Sequence, residues 1–185
     1  MPAEPPSQAA RSLGIVQAGA AILQEAAAPF DLPREATEAA RVLHLLATTL
    51  DRFAAVHNFR SGLGLSAPQL GVLRTAIAIR AGHGERHALL NPRITARSAE
   101  TDEEYEGCLS CYDVRGLVVR PLTLHVEHQD LDGHYTVTAL PHGIARLAAH
   151  EIDHLRGILY TDRMRPGLTP IRVRQYPNAN RPAQG

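Results

Sequence analysis

His150-Glu151-Ile152-Asp153-His154 sets two imidazoles four residues apart, with a carboxylate directly after the first. On an α-helix, residues at that spacing lie one above the other, so both rings can aim at one point. That is the geometry of a metal clamp, and Glu151 could reach a water at the metal as a general base. At about 100° per residue, Ile144, Leu147, Ala148, Ile152 and Leu155 share one arc, while Arg146, Asp153 and Arg156 fall opposite. Glu151 lies inside the apolar arc, where a carboxylate needs a proton, a cation or hydrogen bonds. A metal site would supply them. The plainer reading, two histidines at a helix interface with Glu151 bonded to backbone or arginine, stays open from this helix alone. Pro141 before the helix and Gly157 after it are the punctuation a short helix carries.

Two histidines leave a catalytic metal site one protein ligand short. Cys108, in Glu106-Gly107-Cys108-Leu109-Ser110-Cys111, is the best third donor. His142, eight residues before His150, is two turns away if that end is helical. A rival assembly joins Cys108-x-x-Cys111 to the two histidines as a closed structural zinc site, although 38 residues separate Cys111 from His150. An open site needs only Cys108; a closed one needs both cysteines and leaves Glu151 without work. Upstream, Gly62-Leu63-Gly64-Leu65-Ser66-Ala67-Pro68-Gln69-Leu70-Gly71 could bring backbone close to a ligand. It lacks the glycine spacing and lysine of a phosphate loop, and an ordinary glycine turn before a strand explains it equally well.

These segments need elements to hold them. Residues 1–13, rich in Pro, Ala and Ser, are expected to be disordered. A helix follows from Asp31 and Pro33 to about His57, with Ala39, Leu43, Leu46, Leu50 and Phe53 at helical spacing. Asn58 to Gly64 breaks it. Arg74–Arg80, Ala88–Ile94 and Leu117–Pro121 read as strands, and residues 95–104 as polar and exposed. Leu122–Gln129 and His134–Leu140 form a hairpin around Asp132-Gly133. The order is α+β: antiparallel sheets packed around a buried helix that carries H-E-x-x-H, with an amphipathic helix in the N-terminal half. One domain is expected over residues 14–166, and a loosely held tail over 167–185.

The 185 residues carry 19 basic and 19 acidic side chains, and no basic block stands out, which argues against nucleic acid or anionic membrane as partner. No run is long and apolar enough for a signal peptide core or a membrane span, so a cytoplasmic location is expected. In a reducing compartment, the two cysteines suit metal binding or catalysis better than a disulfide.

Taken together, GLGLSAPQ, EGCLS and HEIDHLRG resemble the peptide deformylases, a family marked by G-φ-G-φ-A-A-x-Q, E-G-C-L-S and H-E-x-D-H in that order. The resemblance covers residues 15 to 164, with RGLVVRP after the cysteine and Ala145-Arg146 before the helix histidine. It implies that Cys108, His150 and His154 bind one divalent metal, most often Fe²⁺, with Zn²⁺, Ni²⁺ or Co²⁺ as substitutes. Glu151 would carry the proton, and the Gln69 amide and the Leu109 backbone N–H would meet the oxyanion. Formylmethionyl peptides or nascent-chain N-termini would be the substrate and formate a product. Leu63 and Gly64 would pair with the extended peptide, Leu147 would line its first side-chain pocket, and Glu106, Gly107 and Arg115 would also stand on the substrate side. The chain departs from the pattern at Ser66, at Ala149 and at Cys111-Tyr112-Asp113. These changes leave room for a paralogue acting on a small formylated metabolite.

Overall fold

The computed structural model describes residues 6–56 and 62–173. Three α-helices, α1 (Pro6–Ser12), α2 (Ala36–Val56) and α3 (Ile144–His154), accompany eight strands. The strands are β1 (Leu63–Ser66), β2 (Ala76–Arg80), β3 (Arg86–Arg97), β4 (Thr101–Glu106), β5 (Val114–Pro121), β6 (Leu124–Gln129), β7 (Tyr135–Leu140) and β8 (Ile171–Arg172). They form a five-stranded sheet, β1-β2-β3-β6-β7, and a three-stranded sheet, β4-β5-β8. Every named strand pair is antiparallel, in keeping with an α+β reading.

The larger sheet has a helix on each face. Side chains alternate along a strand, so β2 sends Ala76 and Ala78 into one core with Ala39, Leu46, Leu50 and Phe53 of α2. Ile77 and Ile79 enter the other core, with Ile144, Ala148 and Ile152 of α3. β1 follows the same rule. Leu63 and Leu65 pack toward α2, and the pleat therefore turns Gly64 and Ser66 toward α3.

All of α3 is buried except Leu147, which is half-buried. Ala145 N donates to Pro141 O ahead of the helix, and Gly157 follows its end at φ +71°. A side chain at Gly157 would collide with the Gln24 backbone, so the helix end is fitted to the segment before α2.

Some segments differ from expectation. Residues 6–12 are helical, not disordered, because Ala10 is enclosed in the α2-side core and Ser7 N donates to Asp113 Oδ1. Residues 95–104 are largely exposed yet extended, completing β3 and opening β4, whose ladder with β5 satisfies their backbone. Ile171 and Arg172 of the expected tail pair with Arg115 and Val114. His57, residues 58–61 of the expected break, residues 1–5 and the chain beyond 173 lie outside the described residues. No helix among the described residues is long and apolar enough to cross a membrane.

Candidate metal centre and active site

Three segments converge beneath β1. The first is the single-turn helix Ala67–Leu70, whose Gln69 folds back so that its Oε1 accepts from Ser66 N (2.9 Å) and Ser66 Oγ (3.0 Å). Gln69 Nε2 then points at Ser110 Oγ (3.1 Å) and Cys108 Sγ (3.4 Å). The second is the turn Leu109–Cys111 after β4, with Cys108 at its cap accepting from Ser110 N (3.4 Å). Leu109 is the first residue of that turn, where a backbone N–H has no partner within the turn itself. The third is α3, which delivers His150, Glu151 and His154.

Donor atoms of Cys108, His150 and His154 all lie within 4.8 Å of one another, and all three residues are buried. Cys108 Sγ is 3.1 Å from His154 Nε2. A tetrahedral ion with zinc-like bond lengths spaces its sulfur and nitrogen donors about 3.6 Å apart, so this set fits one ion with little adjustment. Glu106 Oε2 accepts from His150 Nδ1 (3.0 Å), which leaves Nε2 of that ring for a metal. His154 Nδ1 and Glu151 Oε2 are buried without a hydrogen-bond partner among the described residues. An uncompensated carboxylate oxygen at such a place is what a nearby cation would relieve.

The electrostatics agree with the donor chemistry. Burial pushes the Cys108 thiol up, but His154 and His150 beside it outweigh burial and hold it well below its ordinary value. Burial pushes Glu151 up to about 7, against the pull of His150 and His154. Cys111 stands outside the donor cluster. Burial, with the charges of Cys108 and Asp162, pushes its thiol up to about 12. Its place outside the cluster leaves the closed four-ligand arrangement without a fourth donor there.

Behind the histidines lies a buried ion network that sequence reasoning missed. Arg120 holds Glu106 through Nε (2.9 Å) and Nη2 (3.0 Å), and reaches Asp153 Oδ2 through Nη1 (2.6 Å). Arg146 adds a bond from Nη1 to Glu106 Oε1 (2.8 Å), and Arg163 holds Asp153 from the other side. Although burial opposes ionisation of Glu106, His150 and Arg120 bring its carboxyl down to about 2. Tyr160 stacks on the His150 ring, centroids 5.9 Å apart. One signal was present in the sequence: alternation along β5 puts Arg120 on the same inward side as Gly116 and Val118, and a buried arginine demands carboxylates.

Glu106, expected on the substrate side, is instead 5% exposed, with both oxygens committed to His150 and the two arginines. Leu63 and Gly64 lie on β1, an edge strand of the larger sheet. Leu147 sits beside Gly62, and the Arg115 guanidinium lies against Gly107 while its Nη1 donates to Tyr112 O and Val114 O. The N-terminal segment braces both loops. Val16 N donates to Gln69 O, Ala18 N to Ser110 O, and Gln17 Nε2 to Leu109 O.

A thiolate and two imidazoles around a buried carboxylate, with an amide facing them, are the parts of a metal-dependent hydrolase. The polypeptide deformylase family model matches residues 12–168. Peptide deformylase 2 of Clostridium perfringens is 44% identical over 103 residues, 55% of this chain and 66% of that one. Peptide deformylase 2 of a Nostoc species is 31% identical over 173 residues, 89% and 92% of the two chains. The crystal structure of peptide deformylase from Thermotoga maritima superposes with a TM-score of 0.71 at 30% identity, covering 82% of this chain and 97% of that one. The chain belongs to the polypeptide deformylase family.

Proposed function

We propose that the protein hydrolyses the N-formyl group of formylmethionyl peptides, converting the formamide and water to formate and a free amine. Family membership supports the reaction. The observation that carries its placement here is the buried Cys108–His150–His154 cluster with the unpartnered Glu151 oxygen beside it.

In this reading Cys108, His150 and His154 hold one divalent ion, Fe²⁺ in the first instance, with Zn²⁺, Ni²⁺ or Co²⁺ as substitutes on the same soft and borderline donors. When bound, the ion supplies Lewis acidity and makes water a nucleophile near neutral pH. Glu151 accepts the proton that water sheds and delivers it to the departing amine nitrogen. Burial favours the protonated form of that carboxyl, which suits it to take up the proton and pass it on. Gln69 Nε2 and the Leu109 N–H donate to the formyl oxygen as it gains negative charge. An extended peptide adds to the free edge of β1 at Leu63 and Gly64, with Leu147 beside its first side chain and Arg115 with Gly107 further along. Glu106 orients His150 and does not meet the substrate.

The small-metabolite alternative has no support in the relatives above, which are named as peptide deformylases. Protein loaded anaerobically with Fe²⁺, or with Ni²⁺, releases formate from a formyl-Met tripeptide, and Glu151→Gln keeps the metal while losing at least about 100-fold in kcat. Metal-loaded protein that leaves the formyl peptide intact would overturn the proposal.

A further inference from the structure

Ser66 stands where the deformylase pattern has alanine, and the mechanism above gives it no task. Its side chain is 0% exposed, on the α3 side of β1. Its hydroxyl lies 3.0 Å from Gln69 Oε1. That oxygen carries no hydrogen, so the hydroxyl must donate. The Ser66 backbone N–H donates to the same oxygen at 2.9 Å.

We propose that Ser66 is a positioning residue for deformylation, which locks and polarises the Gln69 amide so that its Nε2–H is a stronger donor to the reacting oxygen. This rests on the reading of Gln69 as an oxyanion donor. Orientation is settled by the backbone: a reversed amide would face its NH₂ against the Ser66 N–H, donor against donor. The hydroxyl adds the second effect. Two donors on one amide oxygen draw electron density from the nitrogen, and hydrogen bonds linked through one polar group strengthen one another. Both Nε2 hydrogens are then directed, one to Ser110 Oγ (3.1 Å) and one toward Cys108 Sγ (3.4 Å), the side on which the donor cluster lies. An alanine at position 66 keeps the first effect and loses the second, so the serine tunes strength and leaves the amide's direction to the backbone.

The test compares four metal-loaded proteins on a formyl-Met tripeptide: unaltered, Ser66→Ala, Gln69→Ala and the double variant, with kcat and KM measured separately and activity normalised to bound metal. A Gln69 donor strengthened by roughly 10–30% corresponds to about a two- to sevenfold fall in kcat for Ser66→Ala, with KM unchanged. The double variant equals Gln69→Ala, because Ser66 has nothing left to act through. A Ser66→Ala protein with unaltered kcat, or one whose loss is the same with and without Gln69, overturns the proposal. A merely structural serine lowers the melting temperature and leaves kcat per bound metal untouched, which also overturns it. Gln69→Ala retaining full kcat instead overturns the reading of Gln69 itself. Should Ser66→Ala fail to fold, Ser66→Cys keeps a side chain of similar shape with a weaker donor, and an intermediate kcat is expected; full kcat there overturns the proposal.

Discussion

Gly64→Ala isolates the placement of Glu151 from its chemistry. A Cβ at Gly64 would fall 2.8 Å from Glu151 Cγ and Cδ, with the nearer carboxylate oxygen closer still. Non-bonded carbons rest at roughly 3.5–4.0 Å, so the glutamate has to retreat by about 1 Å. The Gly64 backbone lies outside the left-handed region, so alanine adds volume without backbone strain. Overpacking of this kind costs about 1–3 kcal/mol, which a domain with roughly 5–15 kcal/mol of stability survives. A proton carrier displaced by about 1 Å costs on the order of 100-fold in rate. The expected protein is therefore folded, metal-loaded and about 100-fold lower in kcat. Formate release read through a coupled dehydrogenase gives kcat, metal analysis gives occupancy, and a thermal melt gives stability. Gly84→Ala is the control: its φ is +95° with nothing within 4 Å, so it strains the backbone by about 1 kcal/mol at an exposed turn without crowding Glu151 and is expected to leave kcat alone. A Gly64→Ala protein within threefold of unaltered kcat would refute the claim that Glu151 must occupy that spot.

Cys108→Ser is expected to lose its metal, whereas Cys111→Ser keeps both metal and activity; metal loss from Cys111→Ser would revive the four-ligand site. Glu106→Gln tests the ion network through pH. Its carboxyl falls from 4.5 to about 2 on folding, so its contribution is fully present above about 4.5 and is lost as pH falls through 2. That shift corresponds to about 3 kcal/mol, and the variant's denaturant midpoint should fall accordingly at neutral pH and vary less between pH 5 and 2. Metal affinity should drop about 10- to 100-fold with it, because His150 loses its partner. An unchanged acid profile would remove Glu106 from this role.

Much of the site was legible because its parts are local in sequence. His150 and His154 are fixed by helical spacing, and Cys108 and Gln69 by short turns rich in glycine and proline. Their convergence came from three ordered motifs, not from any one of them. The α2 and β6–β7 assignments rest on periodicity and an Asp-Gly turn, which are also local. What stayed hidden depends on contacts distant along the chain. Residues 101–104 read only as polar and exposed, and it is the distant pairing with β5 that makes them a strand. Helix α1 owes its order to Ala10, a small residue whose burial nothing nearby announces. Glu106 sits two residues before Cys108 in sequence, and only the approach of Arg120 and Arg146 shows that its carboxylate is committed to a buried ion network. Ser66 read as a departure from a pattern until the strand parity turned it toward Gln69.

The brace formed by Val16, Gln17 and Ala18 joins a segment made earlier to loops made much later, Gln17 meeting Leu109 across 92 positions. His154 is added later still. During translation, a chain that has emerged only as far as the cysteine turn lacks both imidazoles, and its early segment has no finished pocket to close. Catalytic competence should therefore arise in one late event of synthesis, with no weakly active shorter form preceding it.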